Sequence, residues 1–184
     1  LGDRSGAVLE FEKALPILLH LVNDHPDVCR YSESLAACYN NYGNSVKAIG
    51  ENGKAIELYN MGVLLQQQLV EDYPETPKYV AGLSNLLVNL ADALSVAGEV
   101  EKSVVVYSKA ISSKERLVKD HPSEPEYVSS LATSYYNFAT TLVLLGRTEE
   151  VIELYNKAII INEVLVRDHP SVPEYALQLA KDYL

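Results

Sequence analysis

The sequence predicts an all-α fold, a solenoid of antiparallel helix pairs with a 48-residue period, on three observations. Pro26, Pro74, Pro122 and Pro170 stand 48 residues apart with no insertion or deletion. Gly2, Gly50, Gly98 and Gly146 form a second set at the same step, each expected between two helical patterns. The helical patterns between these markers alternate in kind, one amphipathic and the next nearly free of charge. A constant period of this length means tandem copies of one supersecondary unit, each burying its apolar face on its neighbour.

The elements follow from the markers in order. Residues 1–26 hold the second helix of a partial unit, residues 27–74, 75–122 and 123–170 are full units, and 171–184 begin another. A chain that starts at Leu1 without methionine reads as a segment of something longer. In the opening helix Pro16 removes a hydrogen bond and is expected to kink the helix against Glu12. In the last full unit a first helix is expected over 126–145. Ser123-x-x-Glu126 reads as a capping box there, repeated by Ser171-x-x-Glu174, with Pro125 in the first turn where its missing N–H does no harm. Gly146 supplies the permissive backbone for leaving that helix. A second helix then spans 148–167 and stops before His169-Pro170.

The two kinds of helix differ in what they can face. In the second helices Val104, Tyr107, Ile111 and Val118 recur at helical spacing, and Lys102, Lys109, Lys114, Glu115 and Lys119 take the other faces. The first helices carry no charge from Tyr127 to Leu145, and only Asp92 from Tyr79 to Ala97. Helices so poor in charge pack on both flanks, with any remaining face lining something partly enclosed. Ser, Thr, Asn and Tyr interrupt their apolar runs, which argues against a membrane span, and no run resembles a signal peptide.

Composition narrows the function classes. With 48% hydrophobic and 22% charged residues the chain is globular, and its net charge of −10 argues against nucleic acid and against an anionic membrane surface. Cys29 and Cys38 do not recur at the repeat step and read as free thiols in a reducing, cytoplasmic compartment. His25, His121 and His169 occupy one place in successive loops, a whole repeat apart, and so do not converge on a metal; Tyr73 takes that place in the second loop. They read as helix-terminating loop residues. No nucleophile stands with them, Gly53-Lys54 lacks the residues of a phosphate loop, and no cofactor is implied.

After each turn glycine come a small or β-branched residue, an aromatic and a second small residue at fixed places. These are Ala7, Phe11 and Ala14; Ala55, Tyr59 and Gly62; Ser103, Tyr107 and Ala110; Val151, Tyr155 and Ala158. Ahead of the glycine, Tyr135-x-x-Phe138-Ala139-x-x-Leu142 is matched by Tyr39-x-x-Tyr42-Gly43-x-x-Val46 and Leu87-x-x-Leu90-Ala91-x-x-Leu94. This resembles the tetratricopeptide repeat, in which small residues let helices approach and the aromatic fills the space between them. The usual period is 34, and the 14 further residues per unit are about four helical turns, assigned as two to the end of the second helix and two to the start of the first. The long second helix ending in Asp-His-Pro, followed by Tyr39 to Gly43 or Asn137-Phe138-Ala139, is similar to the repeats of kinesin light chains and of large bacterial tetratricopeptide proteins. A HEAT-like solenoid is the alternative.

The resemblance implies where a ligand would sit. Asn41, Asn89 and Asn137, nine residues before successive turn glycines, fall where the family's first helix faces a concave groove and can hold the backbone of an extended peptide. An amide offers both a donor and an acceptor, and so pairs with peptide N–H and C=O whatever the peptide's sequence. The same amides can instead bond within the repeat or to the neighbouring helix. One turn to either side, the resemblance adds Ala37, Asn40 and Asn44; Asn85, Val88 and Asp92; Thr133, Tyr136 and Thr140, of which Ala37 and Val88 read as packing. Some relatives clamp a terminal carboxylate with groove lysines and arginines. No basic residue occupies these places, so the expected ligand is neutral or apolar and not an acidic C-terminal tail.

The reading is therefore a right-handed solenoid that binds an extended protein segment and is not an enzyme. The alternative is a structural spacer or self-association module of a larger protein.

Overall fold

The computed structural model describes residues 2–183, with side chains from Gly6 onward. The described residues form α1 (Gly2–Asp24), α2 (Cys29–Ala48), α3 (Asn52–Asp72), α4 (Pro77–Val96), α5 (Val100–Asp120), α6 (Pro125–Val143), α7 (Thr148–Asp168) and α8 (Pro173–Asp182), with no strand among them. Helices α2 to α7 run 19 to 21 residues, so first and second helices are nearly equal in length, as the longer period requires. The chain forms two compact units, residues 1–106 and residues 107–184, which divide inside α5.

One set of bonds recurs in every proline loop. The His25 N–H donates to Leu21 O, Val28 to His25 O and Tyr31 to Val28 O. The same three bonds return at Tyr73, Thr76 and Tyr79, at His121, Glu124 and Tyr127, and at His169, Val172 and Tyr175. The aromatic closing each second helix packs on the tyrosine six residues later, with ring centroids 5.9, 5.6, 6.1 and 6.0 Å apart. The other turns also share one geometry. Gly50, Gly98 and Gly146 have φ of 90°, 85° and 66°, the left-handed region where a side chain is strained. They let Glu51, Glu99 and Arg147 donate back to Val46 O, Leu94 O and Leu142 O, closing the helix ends in Schellman fashion.

Four local expectations are corrected. Ser123 and Ser171 cap nothing: the N-caps are Glu124 and Val172, neither with a side-chain cap bond. The residue before a proline is driven to extended geometry. That fixes the N-cap at the residue before Pro125 or Pro173 and leaves each serine one place outside the capping register. Gly2, expected in a turn, is the first described residue of helix α1. Lys114, expected on a solvated face, is 4% exposed. Helix α4 is, by length and composition alone, long and apolar enough to cross a bilayer, although no such run was expected. Its apolar residues have protein partners: Leu86, Leu90, Ala93 and Leu94 join a core with Leu35, Tyr39, Tyr42, Val46, Ala55, Leu58, Tyr59 and Val63. Pro16 lies inside α1, which remains one continuous helix.

The small residues of the repeat sit at the closest approaches. A Cβ on Gly43 would lie 2.6 Å from the Tyr59 ring, and one on Gly62 would lie 2.9 Å from Leu86. In the unit from Tyr107 onward, Tyr107 stacks on Phe138 with centroids 5.1 Å apart, beside the fully buried Ala110, Ala132 and Ala139.

Candidate functional site

The candidate residues lie on α2 and α4 in the first compact unit and on α6 in the second. Along α2 and α4, neighbouring first helices are joined by three polar ties. Lys78 Nζ donates to Glu33 Oε1 at 2.9 Å, and the Tyr79 hydroxyl donates to the same oxygen. Asn89 Nδ2 donates to Asn40 Oδ1 at 2.8 Å, and Lys47 Nζ stands 3.8 Å from Asp92 Oδ2. On α2 these ties fall at residues 33, 40 and 47, a heptad spacing that keeps one stripe of the helix against its neighbour.

Asn89 therefore reaches Asn40 of the preceding unit. Asn40 in turn donates from Nδ2 to Asn41 Oδ1 at 3.3 Å, so three of the amides form a chain across two helices. Asn41 is exposed at its end, and Asn85, Ala37 and Thr133 are exposed as well. Val88 is buried, as its packing role implied. Asn137 is half-buried on α6.

Asn44 and Thr140, one repeat position in two units, hold the tyrosine of the following second helix. Tyr59 donates its hydroxyl proton to Asn44 Oδ1 at 2.7 Å. Thr140 Oγ1 donates to Tyr136 O at 3.1 Å and stands 3.2 Å from the Tyr155 hydroxyl, so Tyr155 is the donor in that pair. Tyr136 packs on Tyr155 with centroids 5.3 Å apart. Burial, with the Asp92 charge adding to it, pushes the Tyr59 phenol well above its ordinary range, so it remains a donor.

Two features escaped the sequence reading. Lys47 lies three residues beyond Asn44, outside the places considered, yet its ammonium reaches Asp92 and stands 6.0 Å from the Tyr59 ring centre. The second is a row of buried polar side chains on the second helices, Gln66, Lys114 and Asn162, at the 48-residue step. Gln66 Nε2 donates to Tyr79 O at 3.1 Å, Lys114 Nζ to Ser130 Oγ at 2.6 Å and to Ser130 O at 3.2 Å, and Asn162 Nδ2 to Asp182 Oδ2 at 2.6 Å. Each ties a second helix to the first helix that follows. Their common signal was the spacing, hidden by three different residue types. Burial lowers the Lys114 ammonium to about 8.

The arrangement is one of hydrogen-bond donors and acceptors on packed helices. Among the described residues no three His, Cys, Asp or Glu side chains converge as metal ligands. Cys29 and Cys38 are free thiols.

With the hairpins, the turn glycines and the small-aromatic-small pattern in place, the described residues form a helical-repeat array whose fold is similar to that of tetratricopeptide-type repeats. Residues 131–171 match the family model of the tetratricopeptide repeat. The fold is similar to that of BtubC (BKLC) from P. vanneervenii, at 16% identity and a TM-score of 0.68 over 98% of this chain, which spans 63% of that protein's chain. It is also similar to the nearly identical TPR-like repeats of a protein assigned as a kinesin light chain in Podosopora anserina. There the identity is 23% and the TM-score 0.51, over 94% of this chain and 77% of the other. No curated protein matches the sequence.

Proposed function

We propose that this array is a protein-interaction scaffold that holds an extended segment of another protein against its first helices. The observation that carries the reading is the amide chain Asn89–Asn40–Asn41, which fixes side-chain amides in place and ends at an exposed one. Amides held this way lose little freedom on binding, so a backbone hydrogen bond to them costs less ordering. Asn41, Asn85, Asn89 and Asn137 make the main contacts, with Thr133 and Tyr136 beside them. Asn40, Asn44, Asp92 and Thr140 act chiefly by holding neighbours. The segment is neutral or apolar: the ammonium of Lys47 already faces Asp92, which leaves little positive field for an acidic tail. The setting is cytoplasmic, supported by the two free thiols, and the array serves binding with no catalytic step of its own.

The test is a peptide-library screen of the chain, run beside Asn41→Ala/Asn89→Ala/Asn137→Ala. Hits among neutral sequences that are lost in the variant support the reading. Hits that persist in the variant contradict the amide contacts. No hits, with a mass that rises with concentration in light scattering, would replace the reading with a spacer or self-assembling module.

A further inference from the structure

The turn that joins α2 to α3 carries Asn52-Gly53, and Asn-Gly occurs nowhere else in the sequence. At the 48-residue step the same places hold Val100-Glu101 and Thr148-Glu149, so the repeat does not require the pair. In an Asn-Gly pair the chain holds its own electrophile and nucleophile. The side-chain amide carbon and the following backbone nitrogen can close a five-membered ring, and glycine has no side chain to obstruct the attack.

The structure adds three conditions. Gly53 is exposed, and a Cβ built on it would meet nothing within 4 Å, so the approach to its nitrogen is open. The first helical bond at this end runs from the Ala55 N–H to Glu51 O at 3.0 Å. The Gly53 N–H stands ahead of that bond, among the groups that have no carbonyl of their own helix to bind. Asn52 Oδ1 is buried with no hydrogen-bond partner, so the side-chain amide turns without giving up a bond at that oxygen. The ring-closing conformation is not helical, and opening the first turn alone reaches it, in a part of the helix that frays at little cost.

Other asparagines lack this combination. Asn44, followed by the small Ser45, lies inside α2 and accepts the Tyr59 hydroxyl at 2.7 Å. Asn41, Asn85, Asn89 and Asn137 lie inside helices and are followed by the bulky Tyr42, Leu86, Leu90 and Phe138.

We propose that Asn52-Gly53 is a modification site at which the chain deamidates itself, with water as the co-reactant. The Gly53 nitrogen gives its proton to hydroxide and attacks Asn52 Cγ. The new C–N bond displaces the amide nitrogen, which leaves as ammonia after taking a proton from water, and a cyclic imide results. Water then opens the imide at either carbonyl: attack at Cγ leaves aspartate, and attack at the main-chain carbonyl leaves isoaspartate. The sum is one amide and one water going to one carboxyl and one ammonia, with no change of oxidation state. Both products add a negative charge at the start of α3. Isoaspartate also lengthens the backbone by a methylene just ahead of Lys54, whose ammonium is held 3.3 Å from Glu12 Oε1. The site lies apart from the asparagine row on the first helices and reacts whether or not the array holds a peptide.

The test is incubation of the whole chain at 37 °C and pH 7.4, followed by trypsin and mass spectrometry. Cleavage after Lys47 and Lys54 isolates residues 48–54, and cleavage after Arg30 and Lys47 isolates residues 31–47 with Asn40, Asn41 and Asn44. Peptide 48–54 is expected to gain 1 Da at a rate within about tenfold of that in the urea-unfolded chain, and isoaspartyl O-methyltransferase should label part of the product. Peptide 31–47 is expected to convert at least tenfold more slowly. Gly53→Ala, whose Cβ has room, is expected to stay helical and to slow the reaction at least tenfold; should it not fold, the comparison of the two peptides within the native chain carries the test. No gain at 48–54 over the time in which the unfolded chain converts, equal rates in the two peptides, or an unchanged rate in folded Gly53→Ala would overturn the proposal.

Discussion

Lys114 carries a pH dependence that the residue-level chemistry fixes in sign. Its ammonium is buried at 4% exposure and donates to Ser130, and burial lowers it from 10.5 to about 8. Between these two values the unfolded chain holds a proton that the folded chain has released, so stability rises with pH across that window and the cost is fully present below it. A difference of that size corresponds to about 3 kcal/mol at most. The tyrosines act in the opposite sense. Burial raises Tyr59 and Tyr135, and the Glu33 hydrogen bond raises Tyr79, so the folded state keeps protons that the unfolded chain loses above about pH 10, where stability falls again. Denaturant melts from pH 7 to 11 should therefore pass through a maximum near pH 10. Lys114→Gln, which installs the residue found 48 positions earlier as Gln66, should fold and lose the rising limb. Gly43→Ala is a second residue-scale prediction. Its Cβ would meet the Tyr59 ring at 2.6 Å, and that ring is fully buried with its hydroxyl held by Asn44. Overpacking of about 1–3 kcal/mol should outweigh the gain in helix propensity of about 1 kcal/mol, which thermal unfolding would register as a lower Tm.

Among the elements, the period made helix order and length legible, because proline and glycine act on the backbone within a residue or two of where they stand. Helix α6 begins and ends within two residues of its expected bounds, and α7 within one. The Ser-x-x-Glu capping boxes do not form because the residue before each proline is extended, which sets the N-cap at Glu124 and Val172. The partners of the asparagines were not legible either. The 48-residue period places Asn41 and Asn89 in equivalent positions on α2 and α4, but the bond that forms runs from Asn89 to Asn40, the neighbour of Asn41. Since that bond joins α2 and α4, Asn89→Ala should lower stability by about 1 kcal/mol even with no ligand present. Asn41→Ala, at the exposed end of the chain, should change it by less than about 0.5 kcal/mol. Urea midpoints of the two variants measure the difference directly.

At the scale of the whole molecule, the repeats share the same hydrogen-bonded loops and an aromatic at one place, Tyr59, Tyr107 and Tyr155, while other side chains at equivalent positions vary. Asn44 becomes Asp92 and then Thr140, and Tyr42 becomes Leu90 and then Phe138. A scaffold that keeps its joints and varies its faces can present a different contact at each step to a segment laid along it. The most direct test of that function is calorimetric titration of a neutral peptide from the library screen against the wild-type chain and against Asn41→Ala/Asn89→Ala/Asn137→Ala, both checked for folding by circular dichroism. Three backbone hydrogen bonds at about 1 kcal/mol each predict a loss of affinity of about two orders of magnitude. Equal affinity for the folded variant and the wild type would contradict the account.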